Sequence, residues 1–411
     1  MHRLRRALMR LGAADWLTAE RATAWLRVLA AVTVLIVVGW IALSRGGVDL
    51  TGKPLGTDFL SFWTASRLLL QGAAPATVYD AQAHAALQQA TFPGADVGYT
   101  PFPYPPMFLL ICVPLGFLPY FGSLVAWMGL TLLGYWRVVG AWLAGVRGRT
   151  LLALSFPAVL LNLGHGQNAF LTTGLFGGGA LLLQRRPFLA GACFGALIYK
   201  PQLGLLIPVA LIAARQWRAL LGAAATAIAL TGAATLAFGL EPWRGFLAIL
   251  PQMRAVVEGD ELDPGKVQSL FAALRLWHAP LGAAYAAQIA LSLAVAVAVG
   301  WFAARRARSP AIGPVLMTAA LLATPYVLDY DLTLTAVPMA WVLGEGLRRG
   351  FARWEKLVLL AAYVLPLVSR VAAMRLGVPL GPPVLVALLL ITLRRGLLAD
   401  DERPAAGSRL T

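Results

Sequence analysis

Polar and ionisable residues stand out in this chain because most of the sequence around them is apolar. They gather in short turns between apolar runs, and these turns contain acids, bases, amides and phenols. A carboxylate can accept a proton from an attacking hydroxyl group, and cationic side chains can hold a phosphate and stabilise it as it leaves. Amide and phenol groups can hydrogen-bond a hydroxyl-rich ligand. The candidate residues, in chain order, are Asp58, Tyr104, His165, Gln167, Asn168, Lys200, Gln202, Tyr326, Asp329, Asp331 and Arg370.

Each candidate also has an explanation that needs no chemistry. Asp58 could be the N-cap of the helix that follows it, and Asp329 and Asp331 could cap another helix in the same way. Lys200 could extend its ammonium group to lipid headgroups. Tyr104 could belong to the aromatic belt of a membrane protein, and the remaining turns could be polar connections at the membrane surface.

Common nucleotide, metal and nucleophile motifs are missing from the sequence. It contains no Walker loop, dinucleotide fingerprint, nucleophile elbow or His-Glu-x-x-His motif, which argues against a cytosolic enzyme driven by a nucleotide. Cys112 and Cys193 lie inside apolar runs, which argues against a disulfide framework or a zinc site. The formal net charge is +16, but the basic residues form short clusters between apolar runs. We therefore expect no nucleic-acid partner.

The composition predicts which elements must position these residues. Only 13% of the 411 residues are charged and the mean hydropathy is +0.73, whereas a soluble domain has about 25% charged residues. Many apolar runs approach the roughly 20 residues that span a bilayer as a helix, and none alternates like a barrel strand. We predict an all-α polytopic membrane protein with one membrane domain over residues 1–411. The predicted spans are 24–43, 120–144, 150–163, 168–184, 187–200, 202–214, 218–238, 280–304, 311–327, 331–346, 356–372 and 382–396.

The arginine clusters decide which side of the membrane each turn faces. If the apolar segment 106–118 spans, most of the clusters lie outside; if it stays in the interface or re-enters, they all lie inside. The positive-inside rule favours the second choice, and the many prolines of this segment suit irregular structure. We therefore predict twelve spans with both termini cytoplasmic. The deciding arginines are Arg147, Arg149, Arg185, Arg186, Arg215, Arg218, Arg305, Arg306, Arg348, Arg349, Arg394 and Arg395.

This topology places two large loops, 44–119 and 239–279, on the outer side and a tail, 397–411, in the cytoplasm. The first apolar run lacks a small-residue cleavage site, so we interpret it as a retained span. Helical stretches are predicted at 58–71 and 77–90 in the first outer loop. The apolar residues of the first stretch are predicted to lie on the membrane surface; they are Phe59, Phe62, Trp63, Leu69 and Leu70. All the candidate residues then face the outer side.

The order of the motifs resembles glycosyltransferase family 87. The matching pieces are Thr57-Asp58-Phe59-x-x-Phe62-Trp63-x-Ala65, Val78-Tyr79-Asp80, Tyr104-Pro105-Pro106, Gly166-Gln167-Asn168, Lys200-Pro201-Gln202, and Thr324-Pro325-Tyr326 through Asp329-Tyr330-Asp331. The resemblance covers roughly residues 20–400. That family includes mannosyltransferases that use polyprenyl-phosphate mannose.

The resemblance implies a GT-C fold in which the amphipathic helices of the first outer loop form the roof of the active site. It implies inverting transfer of one sugar, most often mannose, from a polyprenyl-phosphate donor to a lipid or glycan acceptor, with no metal or other cofactor. The expected location is the bacterial inner membrane, among membrane lipids, with the active site facing the periplasm.

Each candidate residue then has an expected role. Asp58 occupies the position of the catalytic base. Lys200, His165 and Arg370 are expected to bind the donor phosphate. The expected substrate-binding residues are Tyr104, Gln167, Asn168, Gln202, Tyr326, Asp329 and Asp331.

Three other classes remain open at this stage. A transporter or lipid flippase also has broken helices, but it needs polar residues on both faces or along the midplane. A lipid-linked glycan ligase would differ mainly in its donor, and Arg244, Arg254 and Arg275 of the second outer loop suit such an enzyme. A structural membrane subunit would not need so many polar turns on one face.

Overall fold

A computed structural model describes residues 12–95, 97–259 and 265–398, and in these residues the chain is helical with no β-strand. The α-helices of the first half are α1 Ala19–Leu43, α2 Phe59–Leu70, α3 Ala81–Thr91, α4 Leu109–Cys112, α5 Tyr120–Trp142, α6 Arg149–Leu154, α7 Pro157–His165, α8 Ala169–Leu182 and α9 Pro187–Gly195. Those of the second half are α10 Pro201–Gly204, α11 Ile207–Ala213, α12 Trp217–Phe238, α13 Glu241–Glu258, α14 Leu270–Leu276, α15 Leu281–Arg305, α16 Ile312–Leu322, α17 Ala336–Arg349, α18 Glu355–Leu376 and α19 Gly381–Leu398. Short 3-10 helices cover Pro75–Tyr79, Pro106–Phe108, Val113–Phe117, Ala196–Tyr199 and Asp329–Thr335.

Six of these helices are long and apolar enough to cross a membrane, namely α1, α5, α12, α15, α18 and α19. Their outer surfaces carry large apolar side chains; Leu236 of α12, for example, is 91% exposed. No residue of α1 is buried against the rest of the protein. Exposed apolar surface on this scale marks contact with lipid, so the chain is a helical membrane protein.

The other predicted spans form short or broken helices, so the predicted number of twelve is not reproduced as twelve full-length helices. The predicted span 150–163 is interrupted before Pro157, and 202–214 is interrupted between α10 and α11. Helix α16 has 11 residues, about 16 Å at 1.5 Å per residue, against a hydrocarbon core of about 30 Å. Every residue of α16 is buried, because α8, α15, α17 and α19 pack around it. A helix surrounded by protein need not match the bilayer thickness.

The segment 106–118 is irregular, as its prolines predict. It consists of two 3-10 turns on either side of the four-residue α4. The hydroxyl of Ser66 in α2 donates to the carbonyl of Val113 (2.8 Å) and accepts from the amide of Gly116 (2.9 Å). The indole of Trp63 donates to the carbonyl of Leu118 (3.1 Å). The segment therefore packs along α2.

The predicted placement of α2 on the membrane surface is wrong for most of its apolar residues. Phe59, Phe62 and Trp63 are buried in an aromatic cluster with neighbouring segments, whereas Leu70 at the end of the helix is exposed. The reason is that the segment 106–118 and α5 cover the face that was expected to meet lipid. The helix is therefore held inside the protein and carries the preceding residue, Asp58, with it.

Four of the turns that contain the predicted cytoplasmic arginine clusters are joined by hydrogen bonds. The side-chain amides of Gln184 and Gln216 both donate to the carbonyl of Ala307 (3.4 and 3.3 Å). The guanidinium of Arg306 donates to the carbonyl of Leu397 (2.6 Å). Four connections that are distant in sequence therefore lie together at one end of the molecule.

Small residues allow α9 and α12 to pack closely. Gly191 and Gly195 form a Gly-x-x-x-Gly pair on α9, a pattern that lets the backbones of membrane helices approach each other. A Cβ atom added to Gly191 would overlap the carbonyl of Ala219 in α12, and one added to Gly222 would overlap the carbonyl of Phe188. The contact is therefore backbone against backbone.

We expect Gly191→Ala to destabilise the protein, because the added methyl group must push α9 away from α12. Overpacking of this kind costs about 1–3 kcal/mol, which would appear as a lower melting temperature of the purified protein in detergent. Gly232→Ala on α12 is the matched control, since its added methyl group meets open space. Equal melting temperatures for the two variants would contradict this packing.

Candidate functional site

A backbone contact between two distant segments creates the site. The amide of Asp58 donates to the carbonyl of His165 (2.9 Å). The next residue, Gly166, has a φ of +65°, which favours glycine. A Cβ atom added to it would lie 2.5 Å from the Cβ of Phe59. The indole of Trp127 donates to the carbonyl of Gly166 (3.1 Å). The start of α2 and the turn after α7 are thus in direct contact.

The carboxylate of Asp58 is held on both oxygens but remains accessible. Its Oδ2 accepts from the amide Nε2 of Gln167 (3.1 Å), and its Oδ1 accepts from the hydroxyl of Thr57 (3.3 Å). The Nδ1 atom of His165 lies 3.7 Å from Oδ1 and 3.0 Å from the hydroxyl of Thr57. The side chain is 19% exposed, and it makes no hydrogen bond that caps α2. Helix capping therefore does not explain this aspartate.

Gln167 connects Asp58 to two buried tyrosines. Its Oε1 accepts from the hydroxyl of Tyr104 (3.2 Å), and its Nε2 also donates to the hydroxyl of Tyr330 (3.2 Å). Both tyrosines are almost completely buried. Tyr104 is therefore part of this polar network, and it does not belong to a lipid-facing aromatic belt. Tyr330 was not among the predicted site residues, although it lies between Asp329 and Asp331.

Lys200 and Asp331 form a buried ion pair. The ammonium of Lys200 lies 2.7 Å from Oδ1 of Asp331, and the two side chains are 5% and 3% exposed. The other oxygen of Asp331 accepts from the amide of Leu328 (3.2 Å), and the ammonium also lies 5.2 Å from the centre of the Tyr330 ring. Lys200 therefore does not extend to lipid headgroups, and Asp331 supports the 3-10 helix Asp329–Thr335.

Asp329 is a buried carboxylate with an unpartnered oxygen. It is 1% exposed, and its Oδ2 has no hydrogen-bond partner among the described residues. Burial raises the pKa of Asp329 to about 6, although the charges of Lys266 and Arg370 oppose the shift. This side chain can therefore be protonated or ionised near neutral pH.

Lys266 belongs to this site, and the sequence analysis missed it. The amide of Asp329 donates to the carbonyl of Lys266 (2.9 Å), and the amide of Gln268 donates to the carbonyl of Val327 (2.8 Å). A Cβ on the adjacent Gly265 would lie 2.8 Å from the carbonyl oxygen of Arg370, so this strip also packs against α18. A lone lysine at the end of the second outer loop was the only available signal.

His165 is a neutral or weakly basic group in this environment. Burial lowers its pKa below the usual 6.5; the charge of Asp58 raises it, and Lys266, Arg370 and Lys53 lower it. These effects show which charges surround the site: one carboxylate lies beside the imidazole and three cations act on it. Arg370, which was predicted, and Lys266, which was not, therefore act electrostatically on both His165 and Asp329.

Three predicted residues do not join the network around Asp58 through their side chains. The side-chain amide of Asn168 is fully buried and has no hydrogen-bond partner among the described residues. Gln202 lies in the short α10, and no hydrogen bond joins it to a described residue of the network. Tyr326 belongs to a neighbouring cluster in which Tyr285 donates to Glu258 (2.6 Å).

The chain also matches a known protein family. The family model of glycosyltransferase family 87 matches residues 102–325, which is more than half of the chain. The chain belongs to glycosyltransferase family 87. This membership indicates a membrane glycosyltransferase. Neither a curated protein nor a solved structure matches the chain.

The matched range includes only some of the site residues. Tyr104, Gln167 and Lys200 lie inside it, whereas Asp58 and Asp329 lie outside. Within the described parts of this family 87 chain, no three His, Cys, Asp or Glu side chains cluster as they would around a metal ion. The chemistry available at the site is that of carboxylates, cations and hydrogen-bonding groups.

We expect Lys200→Met to destabilise the protein strongly, because it leaves the carboxylate of Asp331 buried and unpaired. Breaking a buried pair in this way costs about 3–5 kcal/mol. The double variant Lys200→Met with Asp331→Asn removes both charges and should recover most of that loss. Melting temperatures of the single and double variants in one detergent measure the difference. A Lys200→Met protein as stable as the wild type would contradict a structural role for the pair.

Proposed function

We propose that this glycosyltransferase moves one sugar, mannose by family precedent, from a polyprenyl-phosphate donor to a lipid or glycan acceptor, with Asp58 as the general base and with inversion at the anomeric carbon. The accessible Asp58 carboxylate carries this proposal. Gln167 and Thr57 hold its two oxygens in place, and the carboxylate makes no hydrogen bond that caps α2. A fixed, reachable carboxylate is what a general base requires.

The proposed reaction needs only the donor, the acceptor and Asp58. The acceptor hydroxyl donates its proton to Asp58 while its oxygen attacks the anomeric carbon. The bond from that carbon to the phosphate oxygen breaks, and the bonding electrons leave with polyprenyl phosphate. The products are the glycosylated acceptor, polyprenyl phosphate and a proton on Asp58, which later returns to water. The proposal includes no metal or other cofactor.

The departing phosphate gains negative charge, so the cations around the site are its expected partners. Arg370 and His165 were expected from the sequence, and Lys266 joins them because its backbone is tied to Asp329. A phosphate beside His165 would favour the imidazolium form, and the imidazolium could then donate to the phosphate. Lys200 could reach the phosphate only by giving up its 2.7 Å contact with Asp331.

Two unpartnered polar groups are suited to the sugar and acceptor. The Oδ2 atom of Asp329 and the side-chain amide of Asn168 are buried without partners among the described residues. An unmade hydrogen bond of this kind costs about 1–3 kcal/mol, and a substrate hydroxyl group could supply the missing partner. We propose that Gln202 and Tyr326 are outer contacts of the substrate and that Asp331 supports the turn.

The proposed placement in the membrane is based on which residues lie at each end of the molecule. The arginine-bearing turns share one end, and we propose that this end faces the cytoplasm under the positive-inside rule. The polar network would then face the periplasm of a bacterial inner membrane, on a GT-C fold with twelve crossings, several of them by short or broken helices. The donor's lipid tail would remain among the membrane lipids.

We expect Asp58→Asn to lose sugar transfer by about 10²–10⁴-fold, the usual contribution of a general base, while donor binding is retained. The assay measures transfer of labelled mannose from polyprenyl-phosphate mannose to a total lipid extract by the protein in nanodiscs. Donor retention by the same nanodiscs measures binding. Polyprenyl-phosphate glucose, assayed in parallel, tests the identity of the sugar.

Asp80→Asn is the matched control for this experiment. Asp80 lies in the same outer loop and caps α3 by accepting from the amide of Ala83 (2.9 Å). Asparagine caps a helix about as well as aspartate does, so this variant should leave both stability and transfer nearly unchanged. Full transfer by Asp58→Asn would remove Asp58 as the base. Movement of donor across the bilayer without sugar transfer would favour a transporter, and use of a pyrophosphate-linked oligosaccharide would favour a ligase.

We expect Lys266→Ala to raise the KM for polyprenyl-phosphate mannose about 10-fold or more, because a hydrogen bond to a charged group contributes about 1.5–3 kcal/mol. Lys356→Ala, at the start of α18 and away from the site, is the control. The double variant Lys200→Met with Asp331→Asn should keep donor affinity. Loss of donor binding in that double variant, with normal binding in Lys266→Ala, would assign the phosphate to Lys200 instead.

A further inference from the structure

We propose that Gln167 is a positioning residue that aims the carboxylate of Asp58, and that it does not bind substrate directly. This inference rests on the proposed role of Asp58 as the base. The surroundings of the Gln167 amide group fix its orientation. The backbone N–H of Asn168 can only donate, and it lies 2.8 Å from Oε1 of Gln167. The oxygen must therefore face that N–H, and the NH₂ group must face Asp58.

All the hydrogen-bonding capacity of the Gln167 amide is used within the protein. An amide has two acceptor positions on oxygen and two N–H donors. The oxygen accepts from Asn168 N–H and from the hydroxyl of Tyr104, and the NH₂ group donates to Asp58 and to the hydroxyl of Tyr330. A substrate could bind this amide only by displacing one of these four partners.

The amide also cannot turn easily. Gln167, Tyr104 and Tyr330 are each almost completely buried, so breaking any of their hydrogen bonds leaves a desolvated polar group, at a cost of about 1–3 kcal/mol. Apart from the neighbouring Asn168, the partners of Gln167 come from three different parts of the chain, at Asp58, Tyr104 and Tyr330. The N–H that points at Oδ2 of Asp58 is therefore held in one direction by the surrounding fold.

This arrangement sets which lone pair of Asp58 receives the acceptor proton. Gln167 donates to Oδ2 at 3.1 Å, whereas the Thr57 hydroxyl lies 3.3 Å from Oδ1 and closer, at 3.0 Å, to Nδ1 of His165. The Oδ1 atom is thus the less firmly bonded of the two and is the one that we assign to proton transfer. A carboxylate displaced by about 1 Å loses about 10²-fold in rate, so removal of the Gln167 contact should lower kcat.

The test is Gln167→Glu, which keeps the shape of the side chain but replaces the NH₂ donor by a carboxylate oxygen. Two carboxylates in contact cannot both ionise readily, so one proton is retained between them until the pH is higher. We expect kcat for mannose transfer from polyprenyl-phosphate mannose to fall about 10²-fold at pH 7, with a nearly unchanged donor KM. The acid limb of the kcat–pH profile should move to higher pH.

The other ionisable side chains near Asp58 also sense the new carboxylate, but among the described carboxylates and imidazoles only Asp58 is hydrogen-bonded to the substituted amide, so its pKa should move most. These other side chains are Tyr104, Tyr120, His165, Asp329 and Tyr330, with Lys53, Lys266 and Arg370 acting on His165. Gln88→Glu is the matched control, because Gln88 is also buried and its amide donates to and accepts from the backbone of Thr100. It should lower the melting temperature and leave the pH profile where it is.

Tyr104→Phe is a milder second variant in case Gln167→Glu fails to fold. It removes one of the two donors to Oε1 and keeps the Asn168 N–H, so kcat should fall less and donor KM should stay the same. A raised donor KM with an unmoved acid limb in Gln167→Glu would make Gln167 a substrate contact and overturn the inference. A lower melting temperature with normal kcat in both variants would overturn it as well. Full activity of Asp58→Asn would instead refute the proposed base, so the two failures are distinguishable.

Discussion

The close approach of Gly166 to Phe59 is the constraint on which the site depends. It lets the amide of Asp58 reach the carbonyl of His165, and the hydrogen bond from Gln167 to the Asp58 carboxylate joins the same two segments. Any side chain at position 166 would need both an unfavourable φ and the space that Phe59 already fills. The geometry around Asp58 is therefore set by two backbones in contact, and the side chains of Thr57 and Gln167 only refine it.

A second layer of support surrounds this contact. The buried pair of Lys200 and Asp331 holds the segment that carries Tyr330, and the strip around Lys266 holds the amide of Asp329. Both layers consist of contacts within the protein. Contacts of this kind reduce the free energy that substrate binding must spend on ordering.

Much of this could be predicted from the sequence, and the remainder depended on packing. Polar residues in an apolar chain are costly, so Asp58, the Gln167 turn and the Asp329–Asp331 turn were visible as candidates. The prolines predicted the irregular segment 106–118. The burial of α2 was not predictable, because an amphipathic pattern does not say whether lipid or protein covers the apolar face. Lys266 was missed because backbone pairing between 266–268 and 327–329 leaves no periodic signal in the sequence.

The Lys200–Asp331 pair has a consequence for how the chain enters the membrane. The two residues are 131 positions apart, so the ribosome releases the lysine long before its acidic partner is made. Until then the ammonium has no counter-charge and must stay hydrated, since an isolated charge in hydrocarbon is costly. The region around α9 to α11 should therefore reach its final packing only after the segment that follows α16 has been synthesised.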